Sequence, residues 1–196
     1  MKDAAEPRYD NSLQSTFSLG QLTAWLCIAV IGLSVIACVA MSAGRSTGLT
    51  AIKITALDAA SEPRDHNFPL FMKKEALPDY ELFLILSNGG KIILGSKPNA
   101  SAAEGLTWQV SNPVSNSDVA SIRLDERDKV ISDAVAEVQI QGNSVTEHGY
   151  RFDFTVQRSA SIGLKSFFKT PIGIAITTGF TIAVIIIILR FIYLIW

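Results

Sequence analysis

Two uncharged apolar stretches, residues 22–43 and 170–189, bracket a polar segment of roughly 125 residues in this 196-residue chain. Each is close to the ~20 residues that an α-helix needs to cross ~30 Å of hydrocarbon, so the pattern predicts a two-pass membrane protein with both termini on one side. The expected divisions are a polar N-terminal tail over 1–20, a transmembrane helix over 21–44, a central domain over 45–160, a linker over 161–169 and a second transmembrane helix over 170–196.

The central segment is long enough for one hydrophobic core and too short for two. Over residues 45–170 there are 14 Lys/Arg against 15 Asp/Glu. That balance lacks the basic surplus with which nucleic-acid binders neutralise phosphates, so no nucleic-acid partner is expected. Both cysteines, Cys27 and Cys38, fall in the first apolar stretch, which leaves the central domain without a disulfide or a cysteine metal site.

The first apolar stretch exceeds the ~7–15 residues of a signal-peptide core and reads as an uncleaved anchor. Cleavage near Ala40-Met41-Ser42-Ala43, whose small residues resemble an Ala-x-Ala site, is the alternative. Trp25, Arg190, Tyr193 and Trp196 are the expected interface anchors: the arginine extends its charged head to the headgroups and the rings take the aromatic belt. Trp196 would then close the chain at the interface, with no tail to carry function. Small residues recur at i, i+4 and i+8 as Ala175, Gly179 and Ala183 on the second span and as Ser34, Cys38 and Ser42 on the first. Such ridges let helices approach closely, although small residues also recur by chance in apolar helices.

Cations flanking the spans favour a cytoplasmic domain narrowly, with Arg45, Lys53, Arg158, Lys165 and Lys169 on the domain side against Lys2, Arg8 and Arg190 on the other. Domains beyond ~60 residues translocate largely regardless of charge, so the side stays open.

Between the spans, short β-patterned runs alternate with turn residues: 49–57, 80–86, 91–94, 106–110, 119–124, 134–141 and 150–156. Asn88-Gly89-Gly90 between the second and third predicts a tight hairpin, because those residues accept positive φ. Alternation places Ala134, Ala136, Val138 and Ile140 inward on one strand and Phe152, Phe154 and Val156 on another, as in a sheet with one wet face. Seven short strands with regular turns predict an antiparallel sandwich.

The run from Leu49 to Leu57 precedes Pro78-Asp79-Tyr80 and the alternating Leu82, Leu84 and Leu86; Trp108 follows, then Leu124-Asp125-Glu126-Arg127-Asp128 through Asp133 ahead of the strand beginning at Ala134. This succession, over about 110 residues, resembles a divergent C2 domain, the β-sandwich family best known for calcium-dependent phospholipid binding. The resemblance implies an all-β antiparallel sandwich and makes Asp79, Asp125 and Asp133 candidate calcium ligands. It also exposes departures. The family's Asp-x-Asp-x5-Asp pattern falls on Asp125, Arg127 and Asp133, and the partner expected six residues before Asp79 is Lys73, so two of five carboxylates are replaced by cations. Calcium takes six to eight oxygens, and a cation ~4 Å away repels it by up to several kcal/mol even when screened. Asp58, Asp65, Glu126 and Asp128 are the remaining oxygen sources, but a solvated acidic loop is the favoured reading and no metal or cofactor is expected.

Phe71, Met72, Lys73 and Lys74 join basic and apolar side chains in one run, a candidate membrane-surface contact worth ~1 kcal/mol per lysine on anionic lipid. The plainer alternative is a loop whose apolar residues cap the sandwich. The two histidines, His66 beside Asp65 and His148 beside Glu147, match no zinc or hydrolase spacing, and no phosphate-cradling glycine loop or nucleophile elbow is present, so no catalysis is expected. Three functions remain in competition. The leading one is a non-catalytic membrane-anchored module that binds a protein or lipid partner at the membrane surface, alone or as a homo-oligomer. The others are an accessory subunit docking on a larger membrane protein complex through its spans, and a calcium-responsive sensor.

Overall fold

The structure, a computed structural model, describes residues 19–63, 77–127 and 132–196. In chain order the elements are α1 (Leu19–Gly44), β1 (Thr47–Ala56), β2 (Tyr80–Leu86), β3 (Lys91–Lys97), β4 (Leu106–Ser115), β5 (Val119–Arg127), β6 (Ser132–Val138), β7 (Ser144–Glu147), β8 (Tyr150–Arg158), α2 (Ala160–Lys169) and α3 (Pro171–Ile195). They form two compact units: the outer parts of α1 and α3, up to Ala37 and from Ala175, and the segment Cys38–Ile174.

Both terminal helices are long and apolar enough to cross a membrane, judged by length and composition. In the helical unit Arg190, near the end of α3, lies against Gly20, in the first turn of α1, where an added Cβ would stand 2.8 Å from its Nη2. The two helices therefore run antiparallel. The less exposed positions of α1 include Gly20, Ala24, Cys27, Ile31, Ser34 and Cys38, and those of α3 include Ile176, Phe180, Ala183, Ile187 and Arg190. Alternating steps of three and four keep such a stripe on one side of a helix. An i, i+4, i+8 row instead winds about 40° around the axis at each step. This is why Ala183 is buried and Gly179 half-buried while Ala175 is exposed. Nothing lies within 4 Å of a Cβ placed on Gly179. Trp25, Tyr193 and Trp196 point outward, but Arg190 folds over Gly20 instead of extending away from the helices.

The second unit is a sandwich of two four-stranded antiparallel sheets, ordered β4-β1-β8-β7 and β3-β2-β5-β6. β1 and β8 are central in the first, β2 and β5 in the second. These carry the fully buried Leu49, Ile52, Ile54, Leu82, Leu84, Ile122, Leu124 and Phe152, and Trp108 closes the core with its Nε1 donating to Gly95 O at 3.0 Å. The hairpin at 88–90 forms as the sequence predicts: Gly89 has φ +82°, and Leu86 N donates to Gly90 O at 2.8 Å.

Two departures from simple alternation trace to register shifts. Leu124 pairs Ala136 while Asp125 pairs Ala134, so Val135 is the extra residue of a bulge; it packs against the core, and Ala134, expected inward, is exposed. β1 shifts register between Leu49 and Ala51, and Val156, beside that shift, is 37% exposed instead of buried. β7, a four-residue edge strand with one apolar residue, was not among the seven predicted runs.

Because Phe152 is fully buried between the sheets, Phe152→Ala should cost about 3–5 kcal/mol of stability. Ile93→Ala, at a position 62% exposed, should stay within about 0.5 kcal/mol. Unfolding of the full chain in detergent, followed by tryptophan emission, measures both.

Candidate functional site

The chain arrives in the sandwich at Thr47 and leaves it at Arg158, and these residues pair across β1 and β8. Both connections to the terminal helices thus lie at one end, the junction end, together with the 88–90 hairpin and a 3₁₀ turn at Asn116–Asp118. Residues 57–63, 77–79 and 98–105 lie at the far end.

At the junction end the segment expected as a linker, 161–169, is helix α2. Ile162, Gly163, Ser166 and Phe167 are its buried residues, a spacing that puts them on one face. The helix stops at Thr170, which is extended (φ −80°, ψ 149°), as a residue before proline prefers. Gly163 is required: a Cβ there would overlap the carbonyl oxygen of Ser42 in the last turns of α1. Ser42, expected on a span-packing ridge, is therefore buried against α2.

A polar cluster joins these elements. Arg45 Nη1 donates to Asp118 Oδ1 at 3.0 Å and to Ser166 Oγ at 3.1 Å, and Ser166 Oγ donates to Asp118 Oδ1 at 2.8 Å. Ser115 Oγ donates to Arg45 O at 2.8 Å and Ser159 N to Ser46 O at 2.9 Å. One cation, one carboxylate and one hydroxyl thus tie the end of α1 to the β4–β5 connection and to α2. Beside this cluster a cavity of about 590 Å³ opens between α2 and strands β3 and β4, lined by Ile92 and Leu94 of β3, Ser111 and Asn112 of β4, and Lys165 and Lys169 of α2, among others.

The far end is organised around a buried acid. Glu62 accepts from Tyr80 Oη (3.1 Å), Ser101 Oγ (2.7 Å) and Ala102 N (3.1 Å), and the Tyr80 and Tyr150 hydroxyls share a 2.9 Å hydrogen bond. Burial, reinforced by the hydrogen bond with Tyr150 and the charge of Glu62, pushes the Tyr80 hydroxyl well above its ordinary value; burial raises Tyr150 too, against its hydrogen bond with Tyr80, which lowers it.

The candidate calcium ligands do not converge. Asp125, expected in a loop, lies inside β5; Arg123, two residues away on the same strand face, holds its carboxylate at 2.6 Å. Asp79 Oδ1 accepts the Asn99 N–H at 2.6 Å, and Asp133 is exposed on β6 opposite Glu126. Asp58 caps a short 3₁₀ turn by accepting from Ala60 N at 2.9 Å. Among the described residues no three His, Cys, Asp or Glu side chains are grouped to hold a metal ion. Phe71, Met72, Lys73 and Lys74, with Asp65, His66 and Asp128, lie outside the described residues. The ends of their segment, Pro63 and Leu77, belong to the far end of the sandwich. His148, on a two-residue turn at φ +49°, stands 3.4 Å from Glu147 in the open. Among protein families, curated proteins and solved structures, none matches this chain.

Sequence reasoning missed the Arg45–Asp118–Ser166 cluster, whose members are up to 121 residues apart in the chain. The available signal was α2 itself, where Ile162, Ser166 and Leu164, Phe168 repeat at helical spacing across a segment too polar to be read as part of the span. Arg45 and Asp118 are both more than two-thirds buried. Arg45→Ala should therefore destabilise the sandwich by about 1–3 kcal/mol by stranding a carboxylate. A double-mutant cycle with Ser166→Ala should show coupling of at least about 0.5 kcal/mol.

The raised tyrosines carry a pH signature. In the unfolded chain both lose their protons near pH 10, whereas the fold favours the neutral forms, so their stabilisation is complete below pH ~10 and is lost as pH rises above it. In an alkaline titration two of the four tyrosines should ionise only as the sandwich unfolds. Tyr80→Phe should remove one from that delayed step.

Proposed function

We propose that this chain is a membrane-anchored β-sandwich that acts by binding a partner at the membrane surface, without catalysis. The observation that carries the reading is the junction: two helices long enough to span a bilayer leave the same end of one sandwich, and Arg45, Asp118 and Ser166 fasten that end together. A flexible tether needs no such cluster. The junction ties α2 and both chain connections to one end of the sandwich, which supports a recognition module built as one piece with its connections over a domain on loose linkers. Asp79 and Asp125, two of the three candidate calcium ligands, are engaged by their own neighbours, which favours binding through side-chain surfaces over calcium sensing. Arg190 of α3 lies against Gly20 of α1, which favours a self-contained hairpin of helices over an accessory subunit that docks through them.

The full chain should remain in the membrane pellet after alkaline carbonate extraction. In neutral detergent, native mass analysis should give one copy or a small homo-oligomer. Release by carbonate would remove the anchoring, and a fixed set of other polypeptides at constant stoichiometry would replace the module with the accessory subunit.

A further inference from the structure

We infer that the cavity between α2 and the β3–β4 edges is a binding site for the headgroup of an anionic phospholipid, an inference that rests on the membrane-anchored reading above. Lys165 and Lys169 are one helical turn apart and both exposed. Like charges at this spacing repel unless an anion lies between them. Neither lysine forms an ion pair with any described residue. They share the cavity lining with a single acid, Asp118, whose charge is already matched by Arg45 at 3.0 Å. Among the described residues the site therefore carries a double positive charge with no counter-ion, and Ser111, Asn112 and Ser161 add donors suited to phosphate oxygens. A volume of about 590 Å³ lies within the ~300–1,000 Å³ typical of small-ligand sites.

Two features select a lipid over a free phosphate. Lys169 is two residues before Pro171, the first residue of the apolar α3, so on the anchored reading it stands at headgroup depth. The exposed face of α2 also presents Leu164 and Phe168, 39% and 47% exposed, next to the lysines. Apolar and basic side chains side by side are the composition of a helix that lies in the interface plane. α2 is thus placed to set its lysines among phosphates while its apolar pair enters the acyl boundary.

The test uses the full chain in neutral detergent, titrated with phosphatidylglycerol or phosphatidylcholine of the same acyl chains, with bound lipid counted by native mass and the melting temperature followed in parallel. Phosphatidylglycerol should bind at one per chain and raise the melting temperature, and phosphatidylcholine should bind far more weakly. Each lysine near an anionic surface accounts for about fivefold, so Lys165→Gln with Lys169→Gln should weaken phosphatidylglycerol binding roughly 25-fold. Lys97→Gln, at the far end of β3, should leave it unchanged. Because both lysines are exposed, the double variant should melt as the parent does without lipid, and a glutamate pair provides a second variant if it does not. Equal binding of the two lipids, or undiminished binding by both double variants, would overturn the site. Displacement of the lipid by glycerol phosphate alone at equal concentration would overturn the lipid assignment and leave a free-phosphate site. Carbonate extraction of the same preparation is read separately: a chain that stays in the membrane without lipid preference sinks the site and spares the anchoring, whereas an extracted chain sinks the anchoring.

Discussion

The rest of the structure depends on the contact of Arg45 with Asp118 and Ser166. β1 follows the last turn of α1 within three residues and pairs with both β4 and β8, so a fixed Arg45 at its start helps to hold that register. Arg45 supplies that fixing from both sides: its guanidinium binds Asp118 and Ser166, and its carbonyl accepts from Ser115. Partial burial makes the arrangement strong and demanding at once, since each polar group left alone there would cost more than a surface pair contributes.

The two ends of the sandwich spend their polar residues differently. At the far end Glu62, Tyr80, Tyr150 and Ser101 satisfy one another, and Asp125 and Asp79 are committed to Arg123 and Asn99. Those groups are occupied with one another and help to close the structure. At the junction end Asp118 is neutralised internally while Lys165 and Lys169 are not, so the surplus charge of this end faces a cavity. The loop residues that suggest calcium in the sequence and the lysines that suggest an anion in the structure thus sit at opposite ends of the same sheets.

How much of this was legible varies with the range of the interaction. The run 80–86 was read with the bounds that β2 has, and the hairpin at 88–90 was evident, because a buried central strand and a tight turn each declare themselves within a few residues. β7 escaped because Ser-Val-Thr-Glu buries little and is held by its pairing with β8. Val135 and Val156 escaped because one register shift changes which side chains face the core, and a shift depends on the neighbouring strand. Asp125 looked like a loop acid because Leu-Asp-Glu-Arg-Asp is polar, yet pairing with Glu81 and Ala134 draws it into the sheet.

The sequence by itself determined that two apolar helices enclose one antiparallel sandwich, because helix length, hydrophobic run and strand alternation are local properties of the chain. Only the tertiary structure decided that residues 160–169 are a docked helix and not a linker, that Gly163 is needed where α2 meets Ser42, and that Arg45 answers Asp118 and Ser166. It also decided that Lys165 and Lys169 have no counter-ion among the described residues. The physical reason is that the helix or strand preference of a residue is set by its neighbours in the chain, whereas the pairing of a charge is set by groups that only folding brings within about 3 Å.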